Sequence, residues 1–346
     1  MHTGASILVG YICILPVISS YTDGWIQHVL LYLHALGVSC MLYLLVNPAT
    51  SDNSEVDENE IYGLRHLLFN LELPPKTLWF NMGLWDKPGL SFPQACENLV
   101  HKVAQFINIK PMSSVLDVGF GCGDSCIVFA GKKKKTFTKE KKTNFYFLYK
   151  GITNELSQWR IAKERVSTLP SKINVLHGSA DTLGKHVSST FDYIISIDSA
   201  YHYNTRWDFI QAAFKHLNEG GVLGLYDLCI DPDLYASVTP IKRQILKLVC
   251  QAVHIPLENL VTPEEYEERV EDAGYKKVDM VCLDRMLVFG GLSQSFHTQY
   301  ETTQKYGIGM SLSNRMTLKV SGFLFGLLAT RSWLVPVLVK AEKSIK

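Results

Sequence analysis

The chain has 346 residues, 47% of them hydrophobic, with 34 Lys and Arg against 33 Asp and Glu for a formal net charge of +1. That is enough for one large folded domain with appendages, and the charge balance excludes a globally basic polyanion binder, so no nucleic-acid partner is expected. The eight cysteines lack paired C-x-x-C spacing; even Cys122 and Cys126, at i and i+4, read as thiols of a reducing compartment, and no metal site is expected.

From Gly4 to Val46 the one formal charge is Asp23, in a Thr22-Asp23-Gly24 break between the apolar blocks Ile7 to Tyr21 and Trp25 to Val46. The second block is about long enough to span a bilayer and the first is borderline. Met1-His2-Thr3 has no basic n-region, and the apolar stretch runs on too far for a cleaved signal peptide. Residues 1–46 are therefore expected to anchor the protein on a membrane through one or two helices; the alternative is two buried helices of a soluble domain. No Lys or Arg precedes Arg65, so loop charge gives no orientation, although a hairpin would return the chain to its starting side. Residues 47–60 form a polar, acidic linker.

Beyond the linker, Trp79-Phe80-Asn81-Met82-Gly83-Leu84-Trp85 and Ser91-Phe92-Pro93-Gln94-Ala95-Cys96 open the folded part. Then comes Val115-Leu116-Asp117-Val118-Gly119-Phe120-Gly121-Cys122-Gly123-Asp124, an apolar strand that breaks into alternating glycines before a helix-compatible segment. Such glycines remove the Cβ atoms that would hold off a ligand and permit the positive φ of a tight strand-to-helix turn. A dinucleotide fingerprint would read G-x-G-x-x-G, with pyrophosphate on the helix N-terminus. The spacing here is G-x-G-x-G between Asp117 and Asp124, carboxylates that repel a pyrophosphate and suit a cationic or zwitterionic ligand.

A lysine-rich insertion at 132–142 follows, either a solvated loop or an attachment to anionic lipid. Phe145 to Gly151 reads as the second strand, and Ile152 to Gln158 opens an amphipathic helix through Val166. Ile173 to Asp181 is a strand with a small-residue turn, Phe191 to His202 a strand running into a loop, Arg206 to Leu217 a helix and Glu219 to Asp227 a strand. This alternation predicts a parallel sheet covered on both faces. Residues 229–261 read as lid-like, with Ile241 to Ala252 amphipathic at helical spacing: a substrate cover or an ordinary surface helix. Thr262, Pro263 and Glu265 supply N-cap, N1 and N3 of a helix that stops at Ala273-Gly274. Lys276 to Leu283 reads as a strand. Lys319 and Arg331 disfavour a membrane span through Val320 to Leu328 and Leu334 to Ala341.

The D-x-G-x-G-x-G turn resembles the first motif of class I S-adenosylmethionine-dependent methyltransferases, whose ligand carries a sulfonium and an ammonium group. Gly151-Ile152-Thr153-Asn154-Glu155-Leu156-Ser157-Gln158 resembles the second-strand turn of the sterol, tocopherol and cyclopropane-type small-molecule methyltransferases, and the Trp79–Cys96 stretch is similar to an aromatic segment of that group. The resemblance covers residues 79 to 228. It implies a Rossmann-like seven-stranded α/β sheet with helices on both faces, in a domain over 61–346 that ends on an antiparallel strand at Leu334 to Ala341, with Pro336 at its start or a bulge.

It also implies S-adenosyl-L-methionine as cofactor, cradled by Asp117, Gly119, Gly121 and Gly123, with Thr153 and Asn154 at the ribose, where relatives often carry an acid. Ala180 and Asp181 would face the adenine, and Asp198 and Ser199 would lie near the methyl group, outside the carboxyl end of the fourth strand. Phe80, Trp85 and Tyr201 either face the cationic sulfur or pack in the core. His202 is the expected general base for an oxygen or nitrogen acceptor; for a carbon acceptor, Asp198 or Tyr201 would serve a carbocation. The implied function is methyl transfer to a small lipophilic acceptor, sterol, quinone or polyketide-like, on the endoplasmic reticulum or another internal membrane with the catalytic domain in the cytosol. The alternative is a non-catalytic, membrane-tethered cofactor-binding scaffold.

Overall fold

The computed structural model describes residue 35 and residues 76–129, 148–169, 173–306 and 311–344. After an extended stretch at 76–90, the elements in chain order are α1 (Phe92–Phe106), β1 (Ser114–Val118), α2 (Asp124–Phe129), β2 (Leu148–Thr153), α3 (Leu156–Ser167), β3 (Ile173–His177), α4 (Leu183–His186), β4 (Phe191–Ile197) and α5 (Arg206–His216). There follow β5 (Leu217–Ile230), α6 (Pro232–Ala236), α7 (Pro240–Ala252), α8 (Pro263–Asp272), β6 (Lys277–Cys282), α9 (Gly291–Lys305), α10 (Leu312–Thr330) and β7 (Leu334–Glu342). The chain divides into two units, Met1–Glu55 with Thr303–Thr317, and Val56–Thr302 with Leu318–Lys346. Little of the first is described, and the sheet belongs to the second.

Among the described residues the sheet has seven strands in the order β3-β2-β1-β4-β5-β7-β6. Strands β1 to β5 pair in parallel, and β7 enters antiparallel between β5 and β6. Four of five residues in β1 and six of seven in β4 are buried, the continuous burial of strands covered on both faces. The core joins Leu116, Ile194, Leu223 and Val339 of the sheet to Phe209 and Ile210 of α5. Pro336 is the third residue of β7, opposite Leu228. Its carbonyl accepts Leu283 N–H at 2.8 Å, past the last β6 pair at Cys282, so its nitrogen faces the end of β6 and the missing N–H leaves the β5 ladder whole.

Helix α8 starts and stops as its sequence demands. Thr262 Oγ1 accepts Glu265 N–H at 3.3 Å, and Gly274 closes the helix at φ 105°. Elsewhere the boundaries shift. The described part of the second strand begins at Leu148, Thr153 still belongs to it, and its helix starts at Leu156. Residues 229–230 complete β5 and are no part of a lid. Val320 to Leu328 lies inside α10, and no helix of the described residues is long and apolar enough to cross a membrane. The expected anchor at 1–46 (save Ala35), the linker at 47–60 and the insertion at 132–142 lie outside the described residues.

One buried ion pair fixes the carboxyl end of this sheet. Arg206, fully buried at the start of α5, sets Nη1 2.9 Å from Asp227 Oδ2 and donates to the Leu228 carbonyl at 3.1 Å. Its Nη2 donates to the Asn259 carbonyl, and its backbone N–H to Asn259 Oδ1 at 3.0 Å. The Tyr266 and Trp207 rings lie 4.4 and 4.8 Å from the guanidinium, and Tyr266 O–H donates to Asp227 Oδ2 at 2.9 Å. Asn259 Nδ2 in turn donates to the carbonyls of Tyr201 at 3.0 Å and Tyr203 at 2.7 Å. The network thus ties β5, the loop after β4 and the segment before α8 into one node. Arg206→Ala would strand a buried carboxylate, a loss of about 3–5 kcal/mol. Urea unfolding should show that loss as a lower midpoint; an unchanged midpoint would mean that the node does not hold the fold.

Candidate functional site

Between β1 and β4 the strand order reverses, and open parallel sheets bind ligands outside the carboxyl ends of their strands at such a point. A pocket of about 270 Å³ opens there, lined by the turns after β1, β2, β3 and β4 and by the extended residues Leu78 to Asn81. The glycine turn forms its floor. Gly119, Gly121 and Gly123 adopt φ of 82°, 62° and 89°, left-handed values that disfavour a Cβ. Their neighbours differ. A Cβ on Gly119 would fall 2.2 Å from Ser199 Oγ, and one on Gly121 would lie 3.2 Å from the Phe80 ring across the pocket. A Cβ on Gly123 would press Ala162 of α3 at 3.1 Å. Gly123 is not among the lining residues; it seats the turn on α3, which corrects its expected place in the cradle.

The acids at the two ends of the turn are already engaged. Asp124 receives both terminal nitrogens of Arg165 at 2.7 Å, with Leu78 N–H donating to Oδ2 at 3.0 Å. Its charge is therefore met within the protein by Arg165 and, unlike the expectation from spacing, is not turned to a ligand. Asp117 Oδ2 accepts Ser125 O–H at 2.6 Å and Tyr149 O–H at 2.5 Å, while burial pushes its carboxyl up to about 6 against these hydrogen bonds. Burial also pushes the Cys122 thiol up to about 12 and raises Cys126, so both stay protonated near neutral pH.

Asp198 sits at φ 61°, a left-handed conformation that Asp tolerates better than most residues. Its Oδ2 accepts Met82 N–H at 2.6 Å and its Oδ1 accepts Tyr201 O–H at 2.7 Å. The carboxylate thus pins the extended stretch that carries Phe80 against the pocket. Phe80 and Tyr201 line the cavity, as does Trp79, which stands outside the three aromatics expected at the sulfur. Trp85 does not: its indole N–H donates to the Met82 carbonyl at 3.0 Å, and its ring packs near Phe92 and Gly291.

The turns after β2 and β3 carry the remaining polar groups. Thr153 Oγ1 accepts Glu155 N–H at 3.4 Å, Asn154 is exposed with its carbonyl 3.0 Å from His177 Nε2, and all three residues of 153–155 line the pocket. Glu155 and Gln158 are buried and line it too. Glu155 thus puts a carboxyl into the lining two residues beyond Thr153, inside the Gly151–Gln158 stretch. Ala180 is buried at the rim, and Asp181 takes Asn204 N–H at 3.1 Å and Ser179 O–H at 3.1 Å.

His202 lines the pocket, half-buried, and its Nδ1 lies 2.9 Å from the His254 carbonyl. A carbonyl only accepts, so Nδ1 donates, and in the neutral form of the ring the lone pair is then on Nε2. Asn259 fixes the backbone on either side of this histidine by bonding the carbonyls of Tyr201 and Tyr203.

No family model matches the chain. An erythromycin 3''-O-methyltransferase of Saccharopolyspora erythraea is 31% identical over 213 residues, 60% of this chain and 65% of the relative. A 27-O-demethylrifamycin SV methyltransferase of Amycolatopsis mediterranei is 24% identical over 196 residues, 56% of this chain and 64% of the relative. The match thus spans just under two thirds of either relative. Among solved structures, mycolic acid cyclopropane synthase CmaA1 complexed with SAH and CTAB superposes with a TM-score of 0.63 at 14% identity, covering 84% of this chain and all of that one. The architecture is the methyltransferase-like α/β fold, and the curated relatives are methyltransferases.

Burial pushes the Asp198 carboxyl up to about 7, against the opposing pull of Tyr201 and Met82. A carboxyl whose folded pKa exceeds its unfolded one binds its proton more tightly in the native state. Its contribution to stability is therefore full below about pH 4 and is lost as pH rises through about 7. Denaturant midpoints of Asp198→Asn should fall less between these limits than those of the parent. Parallel curves would contradict the assignment.

Proposed function

We propose that this chain is an S-adenosylmethionine-dependent methyltransferase that methylates a hydroxyl of a small lipophilic, polyketide-like acceptor, with His202 as general base. The observation that carries the reading is the His202 ring, in the lining of a glycine-floored pocket with Nδ1 2.9 Å from the His254 carbonyl. The pocket suits the cofactor on its own chemistry. Among the described residues its lining holds Asp117, Glu155, Asp181 and Asp198, with Asp124 paired to Arg165, but no Lys or Arg, a poor place for a pyrophosphate and a good one for a cationic ligand. A Cβ on Gly121 would point at Phe80, so the ligand's approach depends on its absence. The two curated relatives, named for erythromycin and rifamycin methylation, support a polyketide-like acceptor.

The chemistry supplied by bound S-adenosylmethionine is a methyl group on a sulfonium, open to in-line displacement. The protein's work is to orient the partners and exclude water. Gly119 and Gly121 would give the backbone close approach, Thr153, Asn154, Glu155 and Gln158 would offer hydrogen-bonding groups to a ribose, and Ala180 and Asp181 would flank the adenine. Asp117 and Ser199 belong to the same cradle. Asp198 holds the Phe80 stretch and, through Tyr201 O–H, the loop that bears His202. His202 Nε2 accepts the proton of the hydroxyl as its oxygen becomes nucleophilic. We further propose, on the apolar sequence of residues 1–46 alone, that these residues hold the enzyme on an internal membrane with its catalytic domain in the cytosol.

With methyl-labelled cofactor and a lipophilic extract, His202→Ala should lower label transfer by about 10²-fold, leave cofactor affinity unchanged and lose the acidic limb of the pH profile. Equal turnover would remove the histidine from the chemistry. Gly121→Val should abolish cofactor binding while the protein stays folded; retained affinity would show that the ligand lies elsewhere. After carbonate extraction the full-length protein should remain with the membrane pellet, and complete release would overturn the anchor.

A further inference from the structure

Helix α7 carries two apolar faces. Leu246 and Cys250 turn inward onto Ile230, Leu260 and Leu334. Ile241, Ile245, Leu248 and Val249 form a second stripe that is 76, 57, 65 and 51% exposed. Single exposed hydrophobes are ordinary, but four on one helix face mark a contact surface. The helix also carries Lys242, Arg243 and Lys247 and no carboxylate. Beside it, Asp231 donates its N–H to the carbonyl of Trp333 at 3.0 Å, and that tryptophan is 41% exposed next to Leu334 of the inner cluster. Asp231 itself is paired with Arg285.

We propose that α7 docks on the surface of an anionic bilayer, its outer stripe buried at the headgroup level, Lys242 on the flank of the stripe facing lipid phosphates and Trp333 at the interface. The charge distribution selects this occupant. Lys242, three residues before Ile245 and seven before Val249, flanks the stripe, so a second copy meeting the same face about a twofold axis would bring the two flanking lysines together. The docked helix is joined to the pocket: His254, two residues past α7, supplies the carbonyl that holds His202. If the pocket acts as proposed above, a lipophilic acceptor leaving the bilayer meets the base at the foot of the docked helix; the docking itself does not depend on that reading.

The test uses full-length protein with phosphatidylcholine vesicles, with or without phosphatidylserine, doped with a phospholipid bearing a diazirine on its acyl chain. After illumination, lipid-modified peptides are mapped by mass spectrometry. Adducts within Pro240–Ala252 should form on phosphatidylserine vesicles and drop at least about tenfold in Ile245→Glu/Leu248→Glu. If that variant misfolds, Lys242→Glu/Lys247→Glu should give the same loss. Labelling confined to the apolar N-terminal residues, equal α7 labelling without phosphatidylserine, or α7-to-α7 crosslinks between copies would each overturn the proposal. S-adenosylmethionine binding on the same vesicles separates the two readings: its failure with α7 still labelled would refute the methyltransferase and leave the docking intact.

Discussion

A guanidinium with no exposed surface must have its charge met inside the protein, and Arg206 meets that condition through Asp227, while its terminal nitrogens donate to the Leu228 and Asn259 carbonyls and Nε alone is left without a partner. Three segments far apart in sequence converge to do so, and the pocket inherits its shape from that convergence. Asn259 grips the backbone on both sides of His202, and the His254 carbonyl sets the ring's proton. With the loop after β4 so fixed, Ser199 and Tyr203 come down on Gly119 closely enough that no other residue fits there. The buried pair contributes less through its own net energy than through the one loop geometry it permits.

The acids around the pocket divide by what already holds them. Asp124 belongs to Arg165 and Asp117 to Ser125 and Tyr149, so both serve the turn. Asp198 is held by a backbone N–H and a phenol, weaker company than a guanidinium, and burial moves its carboxyl to about 7. A cation entering the pocket would favour its ionised form, so ligand charge and the closure of the Phe80 stretch act on the same group.

Much of this was legible in the sequence because local rules set it. The G-x-G-x-G spacing fixed three positive φ values, the continuous apolar runs fixed the parallel strands, and Thr262, Pro263 and Gly274 bounded α8. What sequence could not supply was long-range partnership. Arg165 reaches Asp124 across 41 positions, which removes a charge that spacing alone had assigned to the ligand. Trp85 turns to the Met82 carbonyl and Gly291 rather than into the pocket, and Gly123 answers to Ala162. Glu155 was in plain view but lay two residues beyond the end of β2, where a strand boundary misplaced by a residue or two hides it.

The central claim is that the glycine-floored pocket holds S-adenosylmethionine. Isothermal titration of the purified protein with S-adenosylmethionine and, separately, with NAD tests it most directly. The account predicts saturable one-to-one binding of the first and no detectable heat from the second; binding of NAD alone, or of neither, would contradict it.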